Sequence, residues 1–361
     1  MIDSALQLAL DKAAAGGRLD REEACRLANC TTPNELHLLG KAALANRRMR
    51  FGNKATYVFN LHVNPSNICE GGCSFCRYSA RPNDPHAYVL NAEEILKRIR
   101  QVQPSEVHIV GGLNHIWNFK RSADLIKGIR SEHPDIFIKA FTAVEIDWFA
   151  RNEGISWRDV IISLKESGLE ALAGGGAEIF SERIRRALCP EKISGEKWLE
   201  IHEIAHSIGL TTNATMLYGI GETPSERAGH LLALRELQDR TGGFNCFIPL
   251  AWQNDNGGPA AGENLAAIAL SRLILDNFPH IKAYWVMIGL ETASAGLSWG
   301  ADDLDGTLGE ERIAHAAGAQ SPKSVTRRTM RDTIINGGFV PVERGGRFET
   351  REPRMNTNDH E

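Results

Sequence analysis

At 361 residues, 42% hydrophobic and 24% charged, the chain is long enough for one large barrel or two ordinary domains and too ordinary in composition for a disordered or fibrous protein. A formal net charge of -4 gives no broad electrostatic reason to expect nucleic acid, and neither a secretion signal nor an apolar run of membrane-spanning length is evident. Seven cysteines, three of them clustered, point to a reducing cytoplasm rather than a disulfide scaffold.

Residues 1–54 read as a helical cover. Asp20 with Glu23 has capping-box spacing, and Thr32, Pro33 and Glu35 combine a cap, a first-turn proline and a third-position acid. Leu36, Leu39, Ala43 and Leu44 form an apolar stripe for packing on the main body, and Cys25 and Cys30 read as buried thiols. From Tyr57 the pattern becomes short apolar runs alternating with helical stretches. Tyr57–Val63 is a first predicted strand, and it runs into the segment NPSNICEGGCSFCRY, residues 64–78.

Here Cys69, Cys73 and Cys76 stand at three-residue and two-residue gaps. Three thiolates so close can converge on one metal centre, and a cube of four irons and four sulfides suits them because it leaves one iron without a protein ligand. A structural zinc would want a fourth ligand, which His62 or His86 could supply. The loop resembles that of the radical S-adenosylmethionine superfamily, with an aromatic residue, Phe75, before the last cysteine. The resemblance implies that Cys69, Cys73 and Cys76 ligate a [4Fe-4S] cluster, with Phe75 beside the adenine of S-adenosylmethionine. It also implies that one electron from the reduced cluster splits the carbon–sulfur bond to give methionine and a 5'-deoxyadenosyl radical.

Further predicted strands are Glu106–Val110, Ile136–Phe141, Val160–Ser163, Thr211–Leu217, Phe244–Ile248 and Ile281–Ile288, mostly separated by helical patterns such as Asn91–Val102 and Phe119–Ser131. This alternation favours an α/β fold, a (β/α)8 TIM-type barrel over residues 55–322, in which the loops after parallel strands gather at one face. Gly111 and Gly112 follow the second strand; they can admit the methionyl part of S-adenosylmethionine or make a tight turn, and the acid that often follows such a pair in the superfamily is here Leu113. Glu178, after Gly174 to Gly176, can accept from ribose hydroxyls or charge-cap a helix spanning Glu178–Leu188. Gly219 and Gly221 offer a third small-residue loop, which the resemblance to the superfamily implies lies near adenine, and Glu222 can bind substrate or orient that loop.

The string His202, Glu203, Ile204, Ala205, His206 satisfies HExxH, whose histidines can bind zinc while the glutamate activates water. The third histidine of the extended pattern is replaced by Thr212, and Trp198, Ile201, Ala205 and Ile208 define the inward helix face, so a structural helix is favoured over protease chemistry.

The runs HVNPSNIC, KAFTAVEIDWFA, NATMLYGIGET, LRELQDRTGGFNCFIPLAWQN and WGADDLDGTLGEERIAHAAGA are similar to the radical enzymes comprising aminofutalosine synthase, dehypoxanthine futalosine cyclase and the two halves of deazaflavin synthase. Three of the chain's runs, EVHIVGG, KAFTAVEID and LQDRTGGFNCFIPLAW, look nearest the first of these. That resemblance implies addition of the 5'-deoxyadenosyl radical to the enol-ether double bond of 3-[(1-carboxyvinyl)oxy]benzoate, then rearrangement and decarboxylation to aminofutalosine, in menaquinone biosynthesis. Glu145, His62 and Glu222 are the catalytic candidates from their places at predicted strand ends, with Asn64 and Thr142 beside the substrate. Arg77 and Arg81, near the cluster loop, can hold substrate carboxylates or pair with surface acids, and Asp302, after the last predicted strand, can organise polar substrate contacts. The implied partners are a small-molecule substrate and an external one-electron donor such as flavodoxin or ferredoxin, without nucleic acid or membrane, and no oligomeric state is set. Residues 323–361 read as a C-terminal extension with a charged, mobile tail after Arg351.

Overall fold

The computed structural model describes residues 3–254, 257–307, 309 and 311–351; the tail after Arg351 lies outside the described residues. Three helices open the chain, Ser4–Ala14, Arg21–Ala28 and Pro33–Phe51, and the last two carry the capping boxes read from Asp20 with Glu23 and Thr32 with Glu35. They pack over the helices Pro224–Thr241 and Ala261–Ile274, burying Leu6, Leu10, Leu27 and Leu39.

Among the described residues ten strands follow: β1 (Lys54–Val58), β2 (Asn60–Val63), β3 (Glu106–Ile109), β4 (Phe137–Ala140), β5 (Ala171–Leu172), β6 (Thr211–Tyr218), β7 (Phe244–Ala251), β8 (His280–Ile281), β9 (Asp303–Gly306) and β10 (Val340–Arg344). Strands β2 to β8 pair in sequence order, all parallel, and β1 lies between β10 and β9 in a second parallel sheet. A single bridge from Lys282 to Asp303 links β8 to β9, and the chain bends at Phe59 from β1 into β2. The seven-stranded sheet thus curls into a partial barrel, joined to the second sheet by that one bridge and by the continuous chain at Phe59, rather than closing as eight equivalent units.

Several boundaries differ from expectation. The run Tyr57–Val63 is divided at Phe59 because its two halves pair with different neighbours. Val160–Ser163 is not a strand; it lies in the helix Trp157–Glu166, capped by Ser156, where Val160, Ile161 and Leu164 form the buried face. The strand there is the two-residue β5. Only the first residue of Ile281–Ile288 is in a strand, and the run ends in the short helix Trp285–Ile288.

The barrel floor is charged and sealed. Lys139 meets Glu106 at 2.6 Å, Lys282 meets Asp305 at 2.8 Å, and Arg344 meets Asp303 at 2.5 Å, each group almost wholly buried. Three cations facing three carboxylates make the cluster neutral, which is what lets it leave water. Beyond β10 the chain turns beneath this floor: Gly346 lies against Phe137, and Phe348 stacks on His280 with ring centroids 3.8 Å apart. Access to the interior is thus from the opposite end, where the loops after the strands collect. Among the described residues no helix is long and apolar enough to cross a membrane.

Candidate functional site

The loop carrying the three cysteines leaves the carboxyl end of β2 and is pinned along its length. Asn64 donates to Val110 O at 2.9 Å, the amide of Cys69 donates to Ala80 O at 3.0 Å, and Asn114 donates to Ile68 O at 3.1 Å. Gly112 lies so close beneath that a Cβ there would stand 2.1 Å from Ile68 O and 2.9 Å from Cys69 Cβ, so only glycine fits. Its amide donates to Ser66 O at 2.9 Å, and the next amide, Leu113 N–H, points at Cys69 Sγ at 3.4 Å. Gly111 is less confined, its nearest contact being 3.4 Å.

Cys69, Cys73 and Cys76 are free thiols, partly exposed on this loop, and burial pushes the Cys73 thiol up to about 11 against the opposing charge of Lys192. Among the described residues no three of His, Cys, Asp or Glu stand close enough to hold a metal ion. A lone zinc draws its sulfurs to about 2.3 Å from one point, whereas a cube of irons and sulfides spreads its ligands over separate atoms, so this donor set suits the cluster better. His62, considered as a fourth zinc ligand, is instead directed at His108, with Nε2 and Nδ1 3.3 Å apart inside the barrel. His86 supplies its carbonyl to Asn67.

Beside Cys73 lies a feature with no local signature. Lys192 forms an ion pair with Glu178, and its Nζ sits 5.3 Å from the centre of the Phe75 ring. Burial opposes the charge on Lys192, but Glu178 and Cys73 outweigh it and hold the ammonium above its ordinary value. Glu178 adopts φ of +46°, a left-handed conformation that a residue with a Cβ takes only when its surroundings enforce it; here its carbonyl accepts from Leu217 N–H at 2.7 Å. The alternative in which Glu178 caps a helix does not hold, because that helix is Glu182–Leu188 and its cap is Ser181.

Two of the three catalytic candidates turn out to shape loops. Glu145 closes a capping box with Thr142 at the start of Ala143–Glu153, one oxygen accepting from Thr142 N–H at 2.7 Å and the other from Gly111 N–H at 3.2 Å. Burial nonetheless pushes its carboxyl up to about 7. Glu222 accepts from the amides of Gly219 and Ile220, both at 2.9 Å, and pairs with Arg227 at 2.6 Å. This holds Gly219 at φ of +83°, where a Cβ would also strike Pro259 at 2.6 Å; Gly221, at φ of +91°, has open space beside it.

His62 remains inside the barrel. Burial lowers its imidazole and lowers that of His108 further, so both are neutral, and the negative charges of Asp305 and Glu311 face His62. Arg81 donates to the carbonyls of Cys69 and Glu70 at 2.9 and 3.2 Å, which makes it a support of the cluster loop rather than a substrate clamp; Arg77 is exposed on the same loop. Asp302 lies outside the site. It precedes β9, at the floor end, buried against Arg272 with His280 Nδ1 at 2.6 Å and Ile281 N–H at 2.9 Å.

The HExxH histidines are structural. His202 stacks on Trp198 at 3.6 Å, and both rings bond the hydroxyl of Thr212, His202 at 2.9 Å and His206 at 2.8 Å. The residue that breaks the extended zinc pattern is thus the one that anchors both rings.

The mouth also gathers residues that sequence reasoning passed over. Glu311 accepts from the amides of Ile313 and Ala314 and meets His315 Nδ1 at 2.9 Å, while His315 Nε2 bonds Ser321 O at 2.8 Å. The four-residue spacing of acid and histidine was the available signal. Arg312 lies over the Tyr88 ring at 4.7 Å, and Tyr88 O–H donates to Asn64 O at 3.0 Å.

Residues 63–234 match the Radical SAM superfamily model, and residues 241–357 match the CofH/MqnC C-terminal region. The chain is 40% identical to aminodeoxyfutalosine synthase of Thermus thermophilus, over 96% of this chain and 95% of that one. It is 38% identical to cyclic dehypoxanthine futalosine synthase of Streptomyces coelicolor, over 95% of this chain and 88% of the relative. Among solved structures, methylornithine synthase superposes with a TM-score of 0.75 at 18% identity, covering 92% of this chain and 97% of that one, a likeness of fold. With a curled parallel barrel, a three-cysteine loop at its mouth and relatives of this identity over nearly the whole length, the chain belongs to the radical SAM superfamily, as an enzyme of the group that carries the CofH/MqnC C-terminal region.

Proposed function

We propose that this enzyme is an aminofutalosine synthase of menaquinone biosynthesis. The observation that carries the reading is the near-full-length similarity to aminodeoxyfutalosine synthase of Thermus thermophilus. Superfamily membership implies use of S-adenosylmethionine and a four-iron, four-sulfur cluster, and Cys69, Cys73 and Cys76 are the residues that would hold the cluster. With a one-electron donor such as a flavodoxin or ferredoxin, these would supply a 5'-deoxyadenosyl radical for addition to the enol ether of 3-[(1-carboxyvinyl)oxy]benzoate; rearrangement, loss of the pyruvyl carboxylate as carbon dioxide and a one-electron oxidation that gives back the electron used for cleavage would yield aminofutalosine.

The chain's own residues bind, orient and exclude water. Lys192 and Glu178 offer a cation and an acceptor beside Cys73 and Phe75, a pairing suited to the carboxylate and the ribose hydroxyls of S-adenosylmethionine. Glu145 fixes Gly111, and Glu222 fixes Gly219 and Ile220, so two loops meet the ligand with their backbone amides already aimed. His62, neutral and next to His108, offers a ring N–H inside the barrel for a carboxylate of the second substrate. The bonded rim of Tyr88, Arg312 and the Glu311–His315 pair narrows the mouth against water and stray hydrogen donors.

The test is an anaerobic reaction of reconstituted protein with S-adenosylmethionine, a strong one-electron reductant and 3-[(1-carboxyvinyl)oxy]benzoate, read by product mass spectrometry. A covalent adenosyl–substrate product lacking one carbon dioxide is the expected result. Free 5'-deoxyadenosine and methionine without that product would move the assignment to the cyclase or to the tyrosine-using branch of the group. No cleavage of S-adenosylmethionine by the reduced, iron-loaded enzyme would overturn the radical chemistry itself.

A further inference from the structure

Cys189 is the one remaining thiol beside the cluster loop. It lies more than a hundred residues from Cys73 in sequence, yet the fold lays the two segments side by side. The segment from Leu188 to Lys192 packs along Gly72 to Phe75: Ser74 N–H and Ser74 Oγ both donate to Leu188 O, at 2.9 and 3.2 Å. A Cβ on Gly72 would stand 2.9 Å from the Glu191 carboxylate, and Lys192 Nζ faces the Phe75 ring. The peptide joining Cys73 to Ser74 is thereby hydrogen-bonded to the peptide joining Leu188 to Cys189. Standard bond lengths across that contact limit the two Cα atoms to roughly 8 Å apart, close to the range of about 4.4–6.8 Å that a disulfide spans, and a disulfide here requires the loop to move by no more than the difference.

We propose that, when the cluster is absent, Cys73 and Cys189 form a reversible disulfide that closes the site to metal. The two thiols lose two protons and two electrons, one sulfur–sulfur bond forms, and dioxygen accepts both pairs to leave as hydrogen peroxide; a dithiol reductant reverses the step. Cys189 is buried and Cys73 partly exposed, so oxidation starts at Cys73 and is captured by the neighbour rather than advancing to an irreversible acid. A mouth locked in this way cannot take up a stray zinc ion on its remaining two cysteines. The proposal rests on Cys73 being a cluster ligand.

The experiment uses the full-length, cluster-free protein, exposed to air, alkylated under denaturing conditions and mapped by mass spectrometry without reduction. A cross-linked peptide pair holding Cys73 and Cys189, two hydrogens lighter than the sum of its parts and lost on treatment with dithiothreitol, is expected. Air-exposed protein should then lose the ability to build the cluster from iron and sulfide, and regain it after reduction. Cys189→Ser should remove the cross-link while building the cluster as well as wild type when kept reduced, and Cys189→Ala serves the same purpose should the serine disturb the buried position. Recovery of alkylated Cys189 with Cys73 joined to Cys69 or Cys76, or left free, would overturn the proposal. Failure of reduced wild-type protein to build any cluster would strike at the ligand assignment instead, and the peptide map reads the disulfide independently of it.

Discussion

Gly112→Ala is a one-carbon change whose consequence can be worked from the structure. The added Cβ would lie 2.1 Å from Ile68 O, 2.8 Å from Ile68 C and 2.9 Å from Cys69 Cβ. Non-bonded carbons settle at about 3.5–4.0 Å, so the backbone at Ile68 and Cys69 must retreat by roughly 1 Å or more. That backbone is held by Asn114, which donates to Ile68 O, and by the Cys69 amide, which donates to Ala80 O, and overpacking of this kind costs about 1–3 kcal/mol. The chain should remain folded, but the first cluster ligand moves, and a displacement of about 1 Å in a reacting assembly can cost about a hundredfold in rate. Gly111→Ala is the matched control, since its Cβ would meet nothing closer than 3.4 Å. Iron and sulfide content per chain, and aminofutalosine formed per unit time, should both fall sharply for Gly112→Ala and much less for Gly111→Ala. Wild-type cluster content and turnover in Gly112→Ala, or a larger loss in Gly111→Ala, would refute the argument.

Lys192→Met should raise the KM for S-adenosylmethionine strongly, and combining it with Glu178→Gln should cost less than the sum of the two changes, because the pair is coupled; the check is a double-mutant cycle on kcat/KM. Glu145 carries a folded-state value of about 7 against an ordinary 4.5, so the native state holds its proton longer than the unfolded chain. Its contribution therefore favours folding below about pH 4.5 and is lost as the pH rises to 7, worth on the order of 3 kcal/mol; urea midpoints across that window should show this slope, and Glu145→Gln should flatten it. Thr212→Val removes the hydroxyl that both His202 and His206 bond, which should lower stability by about 1–3 kcal/mol in denaturant titration and leave the metal content unchanged. Arg344→Met strips Asp303 of its partner in the floor and should cost about 3–5 kcal/mol, seen as a lower denaturant midpoint.

The capping boxes, the glycine loops and the cysteine spacing are local signals, and each was legible in the sequence. What escaped was set by distant partners. Val160, Ile161 and Ile162 have the composition of a strand, but Ser156 caps a helix through them and their burial follows a helical face. The strand that replaces them, Ala171–Leu172, is too short to announce itself. Asp303 to Gly306 is not among the predicted strands, yet it is a buried strand because Lys282 and Arg344 neutralise its acids from other elements. The same cause misplaced Asp302, whose partners Arg272 and His280 are not evident from its own neighbourhood. Glu145 and Glu222 read as catalytic candidates from their places after strands, but Glu145 sits in the first turn of the helix Ala143–Glu153, and only the bonds the two make distinguish a carboxylate that shapes a loop from one that meets a ligand. Lys192 had no motif at all; its position beside Cys73 exists only once the chain has folded.

The neutral floor has a bearing on how the chain is made. Its charges come from β3, β4, the residue that follows β8, β9 and β10, so Glu106 waits for Lys139 and Asp303 waits for Arg344. A ribosome that has released the first three hundred residues has delivered Glu106, Lys139 and Lys282 but neither Asp303, Asp305 nor Arg344, an excess of positive charge that cannot leave water. Closure of the barrel is therefore deferred until Arg344 has emerged, and a chain interrupted before that residue is marked by its own unburied core.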